Sequence, residues 1–161
     1  MSNKLELTQG KTTLVDFEDY EKFKDMSIHA VNYRGWWYAE VTIGKHGKQL
    51  LHRLILEAKK GELCDHINGD GLDNRRCNLR IATNSQNLMN SKKPSGVTTS
   101  QYKGVYWNKY NKSWHAHIRV NRHTFNIGYF DTELEAAKAY DAEARKLFGE
   151  FARTNFKLGD E

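Results

Sequence analysis

Between Gly61 and Asn87 the chain changes character three times, and that succession restricts the fold more than any other stretch. The apolar run Leu63-Cys64-Asp65-His66-Ile67 gives way to Asn68-Gly69-Asp70-Gly71, turn chemistry that no helix or strand interior would choose. Leu79-Arg80-Ile81-Ala82 is apolar and β-branched enough for a second strand. Thr83-Asn84-Ser85-Gln86 then has the form of a capping box, which predicts a helix from Asn84 carrying Asn87 on its first turn. The expected unit is strand, loop, strand, helix.

These residue types suit the cutting of a phosphodiester. That reaction needs a nucleophilic water, a base to take its proton, and a cation to offset charge on the phosphate and the departing oxygen. Asp65 can supply a hard oxygen ligand and Asn87 a second, a set that suits Mg²⁺ completed by waters and phosphate. His66, next to Asp65 on an extended segment, points to the other side and can face the water. Two other readings stand beside this one. Asp70, Asp73 and Asn74 could form a calcium loop, although the D-x-D-x-D-G pattern with a closing glutamate is absent. The Asn and Gly residues could also merely build a turn, with His66 a hydrogen-bonded surface residue.

The rest of the chain bears on the choice. Its 161 residues suffice for one ordinary domain or two small ones. No apolar run approaches the roughly 20 residues of a membrane helix, and the N-terminus lacks the plan of a signal peptide, so no membrane association and a cytoplasmic location are expected. Cys64 and Cys77 form no C-x-x-C pair, so neither structural zinc nor a disulfide is expected, only free thiols. The net charge of +5 is unevenly spread: residues 74–130 hold ten Lys or Arg and no Asp or Glu. An even spread of the acids would put about seven in that tract, so a polyanion along this half of the protein is the expected reason. Arg75, Arg76, Lys92 and Lys93 are the candidate phosphate contacts at its start.

Upstream, residues 1 to about 12 read as frayed, Thr12–Val15 as a short strand, and Asp16–Lys24 as a charged turn and helix. Trp36–Ile43 alternates, with Trp37, Ala39, Val41 and Ile43 on one face; Gly44-Lys45-His46-Gly47 turns it into a returning strand at Lys48–Leu51. His52–Lys59 has helical spacing and should back the site, with His52 packed or capping and Arg53 open to a phosphate. Downstream, residues 88–101 are polar, contain the sole proline, and read as a linker. Tyr102–Trp107, Ser113–Val120 and His123–Phe130 are strand-like, separated by turns that include Asn121-Arg122. A helix should follow over Glu133–Phe148, with Thr132 and Glu135 as a capping box, Leu134, Ala137, Tyr140, Ala144 and Leu147 as its apolar stripe, and Gly149 as its stop. Val105, Ile118, Ile127 and Phe130, with one or both tryptophans, are the expected core. Residues 101–130 hold five bases and no acids, whereas 131–150 hold six acids and three bases, so one face of this part would attract DNA.

Two resemblances sharpen this. From His52-Arg53-Leu54 through Asp65-His66-Ile67-Asn68-Gly69, Asp73-Asn74-Arg75 and Asn78-Leu79-Arg80 to Asn87, the chain resembles the HNH endonucleases of phage genomes and mobile introns. The resemblance covers roughly residues 12 to 90. It implies that His66 is the general base, that Asn78 orients it from the loop, and that Asp65 and Asn87 ligate one divalent metal. An asparagine at 87, where many relatives have histidine, favours Mg²⁺, with Mn²⁺ as an alternative. Further on, Tyr102-Lys103-Gly104-Val105, Trp114, Ile118-Arg119, Ile127-Gly128-Tyr129-Phe130-Asp131-Thr132, Glu135-Ala136-Ala137, Ala139-Tyr140-Asp141 and Asn155-Phe156 are similar to the APETALA-type domain of plant ethylene-response factors. That likeness implies a sheet lying in the major groove, with DNA contacts at Lys103, Tyr106, Asn108, Tyr110, His117, Arg119, Thr124 and Asn126.

The expectation is therefore an α+β protein: a ββα-metal HNH unit preceded by a β-hairpin, then a small three-stranded antiparallel sheet packed on one helix. Its expected division is 1–90 nuclease, 91–101 linker and 102–161 DNA-binding domain. The expected function is that of a homing-type HNH endonuclease, a hydrolase acting on double-stranded DNA as a monomer, which suggests nicking, with a dimer left open. A DNA-binding regulator on a dead nuclease scaffold and an RNA-binding or RNA-cutting protein are the alternatives.

Overall fold

The computed structural model describes residues 2–93, 98–121 and 123–157. Residues 94–97 of the expected linker, and Arg122 of the expected turn, lie outside the described residues. The chain forms two compact units, Met1–Thr83 and Asn84–Glu161, so the boundary expected at residue 90 falls inside the second. It is a mixed α and β protein built on small antiparallel sheets.

The first unit begins with a hairpin. Strand β1 (Ser2–Glu6) pairs antiparallel with β2 (Thr12–Asp16), with Leu5 opposite Thr13. The segment before Thr12 is thus an ordered strand, because Leu5 and Leu7 are buried in the core and anchor it. Helix α1 (Phe17–Phe23) follows, then β3 (Ile28–Tyr33), β4 (Trp36–Thr42) and β5 (Lys48–Leu50), which form a sheet in the order β3-β4-β5. Ala39 and Val41 of the alternating segment point into the core with Val15, Leu51 and Ile55. Burying each Val, Leu or Ile here is worth about 1.5–3 kcal/mol. Helix α2 is only Leu51–Ile55, shorter than its apolar spacing implied. Beyond it, β6 (Leu63–His66) pairs antiparallel with β7 (Leu79–Ala82), setting Asp65 opposite Arg80 and His66 opposite Leu79.

The loop between β6 and β7 is held from both sides. Gly71 packs against β4: a Cβ there would lie 2.3 Å from the Trp37 carbonyl oxygen and 2.7 Å from the Tyr38 ring, so glycine is required by contact. On the other side, Leu14 of β2 donates its N–H to Leu72 O at 2.9 Å, and Asn74 donates its N–H back to Leu14 O at 2.8 Å. Asp16 accepts from the Arg76 N–H at 2.8 Å.

The second unit starts with α3 (Asn84–Met89), the helix that carries Asn87; its Met89 packs on a cluster of Ile118, Tyr140, Ala144 and Phe148. Strands β8 (Val105–Asn108), β9 (Ser113–Val120) and β10 (His123–Phe130) form an antiparallel sheet in the order β10-β9-β8, with a bulge between Asn126 and Gly128. Helix α4 (Glu133–Phe148) lies on one face. Its capping box is complete: Thr132 Oγ1 accepts from the Glu135 N–H and Glu135 accepts from the Thr132 N–H. The buried stripe is Ala136, Ala137, Tyr140, Ala144 and Phe148, whereas Leu134 and Leu147 of the expected stripe are exposed. Three alanines let the helix approach the strands closely, and Gly104, at φ +77°, does the same for β8: a Cβ there would lie 2.1 Å from the Tyr140 ring. Asp141, fully buried, accepts from the backbone N–H groups of Asn155 and Phe156 and ties the C-terminal segment to α4. No helix among the described residues is long and apolar enough to cross a membrane.

Candidate active site

Strand β6 delivers Asp65 and His66 to the same end of the β6–β7 pair, and both are buried, at 5% and 6% exposure. Arg80 donates Nε–H to Asp65 Oδ2 at 2.9 Å, and its Nη2 lies 2.8 Å from the same oxygen. This neighbour across the ladder compensates a carboxylate that burial would otherwise penalise. The His66 ring packs edge-on against His52, at 4.9 Å between centroids and 86°, and against Tyr38 at 6.0 Å. Burial pulls the His66 pKa below the usual histidine value, opposed by the Asn74 hydrogen bond and by Asp65, Asp70 and Asp73. Burial, with the neighbouring His66 and Arg53, pushes His52 down to about 3, so His52 is a neutral packed side chain.

His66 Nε2 lies 3.2 Å from Asn74 Oδ1. Asn78, expected to orient the histidine, makes its side-chain hydrogen bonds within the loop. Asn78 Oδ1 accepts from the Asn68 N–H at 2.9 Å, and its Nδ2 donates to Asn68 Oδ1 at 3.0 Å and to Asp73 O at 2.7 Å. These bonds close the loop, and Asn74 is 1% exposed beside the His66 ring. Asn74 Nδ2 in turn donates to Thr13 Oγ1 at 2.7 Å, and Thr13 donates to Leu72 O at 2.7 Å. Thr13 was missed because its partner lies 61 positions away, where no spacing rule reaches; Asn74 stood in the motif without a sign of which asparagine touches the histidine.

A divalent metal is tested by the donors present. Asp65 offers a buried carboxylate, and Asn87 is exposed on α3 with an amide oxygen. Burial raises the pKa of the adjacent Cys64 thiol, which disfavours a thiolate there. Oxygen donors without thiolate are the kind a hard cation such as Mg²⁺ prefers, and Asp65 Oδ2 is already paired with Arg80. The calcium-loop reading does not fit, because Asp73 is held by Arg75 and Asn68 while Asp70 accepts from the Leu72 N–H.

Several expected phosphate contacts are occupied within the fold. Arg75 clasps Asp73 with two bonds of 2.7 and 2.6 Å, and Arg76 clasps Asp19 with two of 2.9 and 2.8 Å. Arg53, left open toward a phosphate, spends its guanidinium on the carbonyls of Ala58, Lys59 and Glu62. Lys93 donates to Ser100 O, while Lys92 is exposed. Lys103, an expected DNA contact, donates its ammonium to Met89 O and Ser91 O, both at 2.7 Å, and burial lowers its pKa to about 8.

The sheet face opposite α4 carries most of the other expected contacts. Strand register places Tyr106 beside His115, His115 beside Tyr129, His117 beside Asn126 and Arg119 beside Thr124. His115 and Tyr129, absent from the expected set, belong to this face: their rings stack at 4.6 Å and 7°, and His115 hydrogen-bonds Tyr106 and Asn126. Asn108 caps the following turn by accepting from the Tyr110 and Asn111 N–H groups, and Tyr110 is 98% exposed in that turn.

The first unit thus carries a buried Asp-His pair on a Gly- and Asn-rich loop, and the second a sheet with polar and aromatic side chains on its open face. The HNH endonuclease family model matches residues 49–89, and the AP2 domain model matches residues 100–150. The chain is 39% identical over 115 residues to the uncharacterized HNH endonuclease L560 of Acanthamoeba polyphaga mimivirus, covering 68% of this chain and 58% of that protein. It is 34% identical over 94 residues to Protein 3.8 of Escherichia phage T7, covering 58% of this chain and 76% of that one. With the AP2-like ethylene-responsive transcription factor TOE2 of Arabidopsis thaliana it shares 37% identity over 76 residues, covering 47% of this chain and 16% of the plant protein. The chain belongs to the HNH endonuclease family and carries an AP2 domain as its second part.

Proposed function

We propose that this protein is a metal-dependent endonuclease of duplex DNA, of the homing type, in which a ββα-metal unit cuts and the AP2 sheet holds the site. The observation that carries the reading is the buried Asp65-His66 pair with His66 held by Asn74. An uncharged imidazole at neutral pH is suited to accept the proton of a water as the water oxygen bonds to phosphorus. The strand 3′-oxygen leaves as that bond forms and takes a proton from solvent, giving 5′-phosphate and 3′-hydroxyl ends. Asp65 and Asn87 would hold Mg²⁺ or Mn²⁺. Bound there, a divalent cation supplies the positive charge that offsets the charge developing on the phosphate and the departing oxygen. Arg80 pairs with the buried Asp65 carboxylate across the ladder. Arg119, His117, Thr124 and Asn126 present cationic and hydrogen-bonding groups to phosphates and base edges, with Tyr106 and Asn108 beside them.

The test is cleavage of supercoiled plasmid by the full chain with Mg²⁺ and with EDTA, beside His66→Ala. Nicked product that requires Mg²⁺ and disappears in His66→Ala, with DNA binding retained, is the expected result. Binding without cutting under any metal would make the protein a regulator on an inactive scaffold, and cutting of RNA alone would move the substrate class.

A further inference from the structure

We propose that Asn74 and Thr13 are positioning residues that fix which nitrogen of His66 carries the lone pair, so that the N-terminal hairpin is part of the catalytic apparatus. The inference rests on the reading of His66 as the base. A threonine hydroxyl has one proton, and that of Thr13 goes to the Leu72 carbonyl at 2.7 Å. Its oxygen can then only accept from Asn74, whose Nδ2 stands 2.7 Å away. The same Nδ2 also faces Gly71 O at 3.4 Å. A flipped Asn74 amide would set its oxygen against two oxygens, so the orientation is locked, with Oδ1 toward His66. An amide oxygen cannot donate. His66 Nε2, 3.2 Å from it, therefore carries the proton, and Nδ1 carries the lone pair.

This relay runs through groups removed from water. Thr13 is fully buried, and Asn74 and His66 nearly so, which leaves little solvent to reorient the amide or hydroxyl. Its anchor is backbone: β2 reaches the loop through the Leu14–Leu72 and Asn74–Leu14 hydrogen bonds, and Asp16 takes the Arg76 N–H. Asp19 takes the Arg76 side chain from α1. Residues 12–19 therefore grip residues 72–76 from outside the part of the chain matched by the HNH family model, 49–89. His52 and Tyr38 wall the ring on its other sides and limit its rotation.

The experiment uses the full chain labelled with ¹⁵N-histidine, in EDTA, so that the spectrum is read without metal or turnover. Two-bond proton–nitrogen correlations identify the tautomer, with His66 assigned by the signals lost in His66→Ala. The Nε2–H form is expected in wild type and in Thr13→Ser, which keeps the hydroxyl. Thr13→Val, which keeps the shape, should shift His66 toward a mixture. With Mg²⁺, Thr13→Val should slow single-turnover cleavage by about tenfold or more at unchanged DNA affinity, part of the 10²–10⁴ a general base contributes, and Thr13→Ser should restore the rate. Nδ1–H as the dominant form in wild type overturns the proposal, and that spectrum decides even if Thr13→Val does not fold. Unchanged tautomer and rate in folded Thr13→Val also overturn it. An intact Nε2–H tautomer that Thr13→Val disturbs, in a wild-type protein that cuts no DNA, would uphold the relay and refute the nuclease reading.

Discussion

Lowering the pH from about 7 to about 5 should destabilise the first unit by about 2 kcal/mol through His52 alone. The side chain is buried and its pKa is held down to about 3, against 6.5 for an unperturbed histidine. A group with a depressed folded-state pKa binds more protons when unfolded. Its contribution is therefore complete above about pH 6.5 and is lost as pH falls toward the folded value, at about 1.4 kcal/mol per pH unit once well below 6.5. His66 is shifted in the same direction and adds to the loss. The shifted carboxylate Asp73 has an ordinary value of 3.8, moved lower mainly by its Arg75 hydrogen bond, so it titrates below this window. Urea unfolding of the full chain, followed by circular dichroism at both pH values, measures the loss. His52→Leu removes the titration while leaving an apolar side chain in the packed position, so its pH-dependent loss should be about 2 kcal/mol smaller than that of wild type, whatever its absolute stability. Equal wild-type stability at the two pH values, or an identical loss in His52→Leu, would refute the reasoning.

Gly71→Ala should cost about 1–3 kcal/mol and slow cleavage, because the new methyl meets the Trp37 backbone and the Tyr38 ring; denaturation and plasmid nicking read the two effects. Arg80→Met should destabilise by about 3–5 kcal/mol by stripping a buried carboxylate of its cation, measured by urea unfolding at neutral pH. Thr132→Ala removes the cap of α4 and should cost about 1 kcal/mol in thermal or urea unfolding. Arg119→Ala should weaken duplex binding and reduce the slope of log affinity against log salt by about one.

What the sequence determined by itself was local. The β6–loop–β7–α3 succession, the strands β8 to β10 and the box that starts α4 follow from turn residues, alternation and capping, which act over a few positions. Asp65 and His66 were legible for the same reason: they are adjacent, at the end of an apolar run. Tertiary structure decided which partners these residues have. Thr13 meets Asn74 only because β2 pairs with the loop, and Asn78 bonds Asn68 and Asp73 because the loop folds back on itself. It also changed the meaning of the charge tract. Arg75, Arg76 and Arg80 stand in a run without acids, yet Asp73, Asp19 and Asp65 reach them from before it. Charge along a chain is a one-dimensional sum, whereas the field a DNA strand meets depends on which opposite charges the fold has brought within contact.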